Sequence, residues 1–188
     1  DVDKASKDLA EERGACPDAA DYGIKERFSN KTAIAPTASI SIICGGTSPG
    51  VEPIAANSFT HKTLSGSFNV RNRYLEKILE KHNKNDDETW SSITTNQGSV
   101  SHLDFLTQQE KDVFKTAFEL DQKWIVELGA DRTPHISQAQ SINIFVPADI
   151  HKKELHQIHF QAWKKGLKSL YYCRSKSIQR AENVNDAK

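Results

Sequence analysis

The clearest pattern of apolar and polar positions lies in the last third of the chain. Residues 141–146 alternate, which predicts a strand, and apolar residues then recur at helical spacing through residues 155–163. Asp149 is predicted to cap this helix and Gly166 to end it. Residues 168–173 predict a second strand. A strand, helix, strand crossover implies parallel pairing, so we predict a fold of the α/β class.

The middle of the chain carries a second helical pattern behind a clear start signal. Thr107 and Glu110 form a capping box, in which each side chain satisfies a backbone N–H that the first turn leaves free. Mostly apolar residues then recur at helical spacing through residues 113–128, which predicts one long helix packed on a core. Gly129 is predicted to end that helix.

The first half of the chain predicts short elements separated by turns. Residues 3–13 predict a surface helix ended by Gly14, and residues 32–35 predict a strand that stops before Pro36. Residues after Pro36 predict a turn into a short helical stretch. The remaining predictions are two strands near residues 59–64 and 67–70 with a turn at Ser65-Gly66, a helix capped by Asn72, and a solvated loop over residues 81–89.

The composition is that of a soluble globular protein, with 37% hydrophobic and 27% charged residues among 188. Lys plus Arg and Asp plus Glu both number 25, so no long-range field attracts nucleic acid or anionic lipid. No apolar run reaches about 18 residues, so no membrane contact is predicted. Cys16, Cys44 and Cys173 lie far apart without zinc spacing, so we predict a cytoplasmic compartment and no metal.

The first residues of the sequence do not show the pattern of a signal peptide. The chain starts at Asp1, lacks a basic stretch followed by an apolar one, and contains no methionine anywhere. We therefore expect these residues to be a segment of a longer polypeptide.

Pro36-Thr37-Ala38-Ser39-Ile40 has the chemistry of an anion site. A strand that turns into a helix leaves backbone N–H groups free, and the helix dipole and two hydroxyls add to their attraction for a phosphate. The alternative is that Thr37 only caps the helix.

Two other stretches are interpreted as structural. The glycine-rich loop from Gly45 to Gly50 lacks the spacing of a P-loop or a dinucleotide fold. His151, His156 and His159 share a predicted helix, on which Glu154 and His159, or His156 and His159, could share a face. Such a pair has no third convergent ligand and no HExxH arrangement, so a metal site is not predicted there.

Two tyrosines, Tyr171 and Tyr172, stand side by side near the carboxyl end. A regular strand would point their rings to opposite faces. Ordinary packing, with one phenol in the core and one outside, is one alternative. If the phenols act as a pair instead, their rings must lie close together.

Four short stretches of the chain match one known family in the same order. They are APTASISIICGGTSPGVEP at residues 35–53, THKTLSGSF at 60–68, SQAQSINIF at 137–145 and WKKGLKSLYYCRS at 163–175. In this order they resemble the carboxyl-terminal part of the large (alpha) subunit of class I ribonucleotide reductase, and the similarity runs from about Ala15 to Ala181.

The resemblance implies a fold and an activity. The chain would be the carboxyl-terminal part of a ten-stranded α/β barrel, with residues 1–181 in the barrel and residues 182–188 as a polar tail or linker. Such a subunit reduces ribonucleoside diphosphates to 2′-deoxyribonucleoside diphosphates by radical chemistry for DNA synthesis.

The resemblance also implies roles for the two stretches described above. The substrate's phosphates would be held by Pro36, Thr37, Ala38, Ser39 and Ile40. Tyr171 and Tyr172 would relay a radical, with Tyr172 nearer the subunit interface and Tyr171 nearer the active site.

Partners and cofactors follow from the resemblance as well. The partners would be the remaining portion of the large subunit, a small (beta) radical-generating subunit, a ribonucleoside diphosphate, and thioredoxin or glutaredoxin as reductant. This segment would bind no cofactor itself, because the metal-based radical belongs to the small subunit and ATP- or dATP-type effectors bind elsewhere on the large one. The family's catalytic cysteines have no counterpart here, so the chain alone is expected to be inactive.

Two other functions stay open on the sequence. A cobalamin-dependent reductase has a similar phosphate loop, but it generates its radical within one chain and needs no tyrosine relay. A barrel remnant that serves as a non-enzymatic assembly module is the second alternative.

Overall fold

A computed structural model describes residues 1–64 and 66–176 of the chain. Ser65 of the predicted turn, the predicted end of the barrel segment at Ala181 and the predicted tail at residues 182–188 lie outside the described residues. The helices and strands are α1 Val2–Arg13, α2 Pro17–Ala20, α3 Ala38–Ile43, β1 Ser58–Thr63, β2 Gly66–Arg71, α4 Arg73–Lys81, α5 Asp87–Thr95, α6 Gln108–Val113, α7 Gln122–Arg132, β3 Ile144–Val146, α8 Lys152–Lys164 and β4 Cys173–Ser175, with 3₁₀ turns at Ala117–Glu119 and Thr133–His135.

The capping predictions at Thr107, Asn72 and Gly14 are confirmed. The Glu110 carboxylate accepts the Thr107 N–H at 2.8 Å, and the Thr107 hydroxyl accepts the Glu110 N–H at 3.3 Å. Asn72 begins α4 by accepting the Tyr74 N–H at 3.0 Å. Helix α1 ends at Gly14, whose φ of 82° is the left-handed geometry that glycine adopts at little cost. Strands β1 and β2 pair as an antiparallel hairpin, as predicted.

The prediction of one helix through residues 113–128 is wrong. Helix α6 stops at Phe114, and a 3₁₀ turn follows before α7 begins. Each new start has its own cap: Glu119 accepts the Thr116 N–H at 2.8 Å, and Asp121 accepts the Lys123 N–H at 3.0 Å. Polar residues that bind nearby backbone groups therefore interrupt an otherwise helical apolar pattern.

Gly129 does not end helix α7, which continues to Arg132. A Cβ at position 129 would lie 2.6 Å from Cδ1 of Ile142, on the segment that leads into β3. The glycine is therefore explained by the close approach of a helix to a strand, and not by a helix stop.

The predicted solvated loop at residues 81–89 is confirmed over residues 82–86 and wrong at its two ends, which are helical. Helix α4 reaches Lys81, and α5 begins at Asp87, capped by Asp86, whose carboxylate accepts the Thr89 N–H at 2.7 Å. Trp90 and Ile93 of α5 are buried. The polar residues before Trp90 concealed this helix because only a narrow face of it enters the core.

The parallel crossover is confirmed, but β3 is shorter than predicted, and β4 shares only Cys173 with the strand predicted at residues 168–173. Strands β3 and β4 pair in parallel and α8 connects them. Helix α8 is capped by His151, whose Nδ1 accepts the Lys153 N–H at 3.1 Å, so the prediction of Asp149 as the cap is wrong. Gly166, with φ of 80°, follows the last turn as predicted. The predicted strand at residues 32–35 is a single parallel bridge between Ile34 and Gln140.

Two apolar clusters hold the described residues together. The sheet core comprises Ala117, Ile125, Val126, Ile142, Ile144, Phe145, Val146, Ile158 and Ala162. The helical core comprises Leu75, Leu79, Trp90, Ile93, Val100, Leu103 and Leu106. None of the helices within residues 1–64 and 66–176 has the length and apolar character that crossing a bilayer requires. The α/β class is confirmed.

Candidate functional site

The two adjacent tyrosines lie on a bulge at the start of the last strand. The Tyr171 N–H donates to the carbonyl of Ile142, and the Ile144 N–H donates to the carbonyl of Tyr172, both at 2.8 Å. In a regular parallel ladder, one residue would supply both the donor and the acceptor. Here two residues, Tyr171 and Tyr172, lie opposite the single residue Asn143, which is the pattern of a β-bulge.

The bulge brings the two phenols together. The ring centroids of Tyr171 and Tyr172 are 4.1 Å apart and the ring planes are tilted by 51°. The prediction that the rings lie close together is confirmed, and the alternative of one ring on each face of a strand is wrong. Both side chains are about half exposed, at 47% and 53%.

Neighbouring groups act on both rings. Hydrogen bonding to Tyr172 raises the pKa of Tyr171 above its ordinary value of 10.0, so Tyr171 keeps its proton at neutral pH. The guanidinium carbon of Arg174 lies 5.5 Å from the centroid of the Tyr172 ring, within the range of a cation–π contact. The pair therefore consists of two touching phenols with a cation on the Tyr172 side.

The Pro36 to Ile40 stretch forms the entry into the short helix α3. Thr37 has φ of 52°, an uncommon left-handed geometry for a β-branched residue. Its side chain makes no capping hydrogen bond, so the alternative that Thr37 only caps the helix is wrong. The first N–H groups of α3 have no partner within the helix, and Ala38, Ser39 and Ile40 are exposed.

Backbone pairing brings this stretch and the tyrosine pair to the two sides of residues 140–146, the central segment. Ile34 pairs with Gln140 on one side of the central segment, and Tyr171 donates to Ile142 from the other side. Pro36 follows Ile34 by two residues and Ile142 follows Gln140 by two, so a parallel course from the bridge brings Pro36 to the level of Ile142. Two strand spacings separate the two backbones, a distance of about 10 Å. Residues that are 135 positions apart in sequence, such as Pro36 and Tyr171, thus come to the same part of the fold.

Sequence reasoning missed two buried acceptors on the free edge of the central segment. A Glu52 Oε1 atom accepts the Asn143 N–H at 2.5 Å, and the Gln122 side chain accepts the Phe145 N–H at 2.8 Å. The Asn143 amide also donates to Glu52 Oε2 at 3.2 Å. A glutamate between Val51 and Pro53 was the available signal, because a charged residue in a mostly apolar stretch needs a partner when it is buried.

The remaining candidates have structural roles. Gly46 donates its N–H to the carbonyl of Ser41 at 2.9 Å and closes the end of α3, which supports the interpretation of the glycine-rich loop as structural. On α8, His159 Nδ1 lies 2.8 Å from the carbonyl oxygen of Leu155, and the His156 ring stacks on Phe160. In the part of the chain that the structure describes, no three His, Cys, Asp or Glu side chains are grouped as metal ligands.

The three cysteines are free thiols. Cys16 is half-buried, and Cys44 and Cys173 are exposed. This state is compatible with the predicted reducing compartment, and the cytoplasmic location stays a prediction.

The class of protein follows from a comparison with known families. Residues 4–173 match the family model described as ribonucleotide reductase, barrel domain, and the chain belongs to that family. The resemblance stated from the four sequence stretches and the barrel fold it implies are confirmed.

Individual relatives narrow the similarity to one kind of subunit. The chain is 50% identical over 188 residues to the ribonucleoside-diphosphate reductase large subunit of Invertebrate iridescent virus 6, covering 98% of this chain and 19% of the relative. It is 40% identical to the putative large subunit of Frog virus 3, covering 98% of this chain and 32% of the relative. The relatives are thus named as reductases, as the sequence predicted.

A solved structure of a reductase alpha subunit is also similar to this chain. The chain is similar to the class Id ribonucleotide reductase alpha subunit of Actinobacillus ureae, with a TM-score of 0.77 and 38% identity, covering 96% of this chain and 32% of that one. The chain therefore spans about a fifth to a third of the length of these three proteins.

Proposed function

We propose that these residues act as part of a ribonucleoside-diphosphate reductase large subunit, which reduces ribonucleoside diphosphates to 2′-deoxyribonucleoside diphosphates for DNA synthesis. The observation that carries this proposal is the bulge that holds Tyr171 and Tyr172 in ring contact, in a chain of the ribonucleotide reductase barrel family. Contact is what a radical relay requires, because electron and proton must pass together between neighbouring phenols.

The relay works by transfer of hydrogen-atom equivalents. Tyr172, on the side of Arg174, loses one electron and its phenolic proton toward the small subunit. Tyr171 then gives one electron and one proton to the Tyr172 radical and restores it to a phenol. The Tyr171 radical in turn oxidises a cysteine thiol elsewhere on the large subunit. The raised pKa of Tyr171 favours this coupled transfer over loss of the proton alone.

The Pro36 to Ile40 stretch is proposed to hold the substrate's phosphates. The free N–H groups at the start of α3 and the hydroxyls of Thr37 and Ser39 are donors that suit phosphate oxygens. The bridge of Ile34 to Gln140 and the hydrogen bond from Tyr171 to Ile142 support this proposal, because they bring the two stretches to the same part of the fold.

Partners and cofactors are part of the same proposal. The remaining portion of the large subunit supplies the reactive cysteines, and the small (beta) subunit supplies the metal-based radical. Thioredoxin or glutaredoxin restores the cysteines, and ATP- or dATP-type effectors bind outside this chain. The paired tyrosines argue against a cobalamin-dependent reductase, whose radical arises beside the cysteine. A non-catalytic assembly module would have no use for them.

Conversion of either tyrosine to phenylalanine tests the relay. In a large subunit completed with its remaining portion and mixed with the small subunit, Tyr171→Phe or Tyr172→Phe should reduce the turnover of cytidine diphosphate to background. Phenylalanine keeps the ring but has no phenolic proton to lose. Tyr22→Phe is the matched control, because Tyr22 is 83% exposed and lies far from the bulge in sequence. Full turnover by both pair variants would refute the relay.

A further inference from the structure

Asn143 is the residue that faces both tyrosines of the bulge. Its neighbours Ile142 and Ile144 make the two backbone hydrogen bonds that fix Tyr171 and Tyr172, and Asn143 lies between them. The N–H of Asn143 points away from the bulge, to the free edge of the central segment. Whatever binds that N–H therefore fixes the backbone against which the bulge forms.

Glu52 binds the N–H of Asn143, and this contact is buried and close. Glu52 is 5% exposed and Asn143 is 4% exposed. The carboxylate takes both the backbone N–H and the side-chain amide of Asn143, at 2.5 Å and 3.2 Å. Two donors from one residue hold that residue in both position and orientation.

Gly50 makes room for this arrangement. A Cβ at position 50 would lie 2.5 Å from Oε2 of Glu52, which is closer than nonbonded atoms approach. The Ser48 hydroxyl donates to the carbonyl of Glu52 and ties the same loop to itself. The loop between α3 and β1 is thus shaped to deliver one carboxylate to Asn143.

We propose that Glu52 is a positioning residue for the tyrosine pair: it holds Asn143 so that the bulge keeps the two phenols in contact. This inference rests on the proposed relay. Glu52 acts through the strand backbone and does not touch the reacting phenols. The same loop follows α3, so the proposed phosphate site and the relay share one connected framework.

The competing explanation is that the negative charge of Glu52 itself acts on Arg174 and the tyrosine pair. Glu52, Asn143 and Arg174 line one cavity of about 120 Å³, and Arg174 covers the Tyr172 ring. A glutamine at position 52 separates the two roles. Its carbonyl can still accept the Asn143 N–H, and its NH₂ can donate to Asn143 Oδ1, a buried atom without a partner among the described residues, once that amide rotates.

The test uses the completed large subunit with the small subunit and cytidine diphosphate. Glu52→Leu should slow radical transfer and kcat by about 10- to 100-fold with the KM for cytidine diphosphate unchanged, since a displacement of about 1 Å has such effects. Decay of the small subunit's radical signal, followed by electron paramagnetic resonance, reports transfer directly. Glu52→Gln should transfer the radical about as fast as the parent protein. Gly50→Ala, which displaces the carboxylate, should slow radical transfer.

Gln122→Met is the matched control, because Gln122 holds the same strand edge two residues farther along, at Phe145. It should lower the Tm without slowing radical transfer. If Glu52→Leu and Gln122→Met slowed radical transfer equally, Glu52 would only stabilise the strand. If Glu52→Gln transferred the radical as slowly as Glu52→Leu, the role of Glu52 would be electrostatic. Either result overturns the proposal. Full activity of Tyr171→Phe and Tyr172→Phe in the same assay would instead refute the relay itself.

Discussion

At the scale of single residues, Glu110 shows how one side chain can start a helix and join it to another. Its carboxylate accepts the backbone N–H of Thr107 at 2.8 Å and the Thr107 hydroxyl at 2.9 Å. It also lies 3.1 Å from Nε2 of His82, which follows α4. The backbone hydrogen bond from Thr107, followed by the contact with His82, lowers the pKa of Glu110 from 4.5 to about 2.

The lowered pKa of Glu110 predicts a loss of stability in acid. Its ionised form is favoured in the folded state, so its contribution is present above pH 4.5 and is lost as the pH falls toward about 2. Glu110→Gln should therefore have a flatter dependence of the free energy of unfolding on pH in that window, measured by urea denaturation. Glu11→Gln, at an exposed position of α1, should follow the parent protein. A gap between Glu110→Gln and the parent that stays constant down to pH 2 would contradict this explanation.

At the scale of elements, helix α7 packs close to the sheet core because Gly129 has no side chain. Gly129 lies within the helix, where a Cβ would be 2.6 Å from Cδ1 of Ile142 and 3.3 Å from Cδ2 of Leu167. Ile142 is fully buried in the sheet core and has little room to move. The closeness of α7 to the sheet therefore depends on glycine at this one position.

Gly129→Ala should destabilise the protein even though alanine favours a helix by about 1 kcal/mol. Overpacking of a core costs about 1–3 kcal/mol and should exceed that gain. Ile142→Val removes Cδ1, so the double variant should lose less stability than the sum of the two single variants. Denaturant titration of all four proteins measures the coupling. A Gly129→Ala variant as stable as the parent would show that the helix can shift freely.

At the scale of the whole molecule, a short connecting segment, residues 52–57, joins the sheet core to the helical core. On the sheet side, Glu52 binds Asn143, and the Ile54 carbonyl accepts the Ala117 N–H at 2.9 Å. On the helical side, the Asn57 amide donates to the carbonyls of Gly98 and Phe114 and accepts from Asn72, at 2.7–2.9 Å. The two cores are therefore coupled through hydrogen bonds of one segment.

Asn57→Ala should weaken that coupling, at a cost of about 1–3 kcal/mol for the buried partners left unpaired. Trp90 reports the helical core, because it is 2% exposed whereas Trp124 and Trp163 are 67% and 72% exposed. In the parent protein, tryptophan fluorescence and far-UV circular dichroism should change together on heating. In the variant, the fluorescence change should come at lower temperature. Coincident transitions in both proteins would show that the cores are coupled by other contacts.

Elements with local signals could be predicted from the sequence, and those set by distant contacts could not. The Thr107 capping box and the Asn72 cap bind backbone groups within three residues, so their sequence pattern is sufficient. Helix α5 was missed because burial of Trp90, and not its polar flanks, stabilises it. Gly129 was misinterpreted because its neighbour Ile142 is contributed by another element.

The sequence by itself determined the family, the parallel crossover and the adjacency of Tyr171 and Tyr172, because these depend on residue order and on short-range patterns. Only the tertiary structure decided that the two phenols touch. The bulge arises where the last strand meets Asn143, and Asn143 is held by Glu52, 91 positions away. Side-chain direction in a strand is set by hydrogen bonds to its neighbours, and the identity of those neighbours is not written in the local sequence.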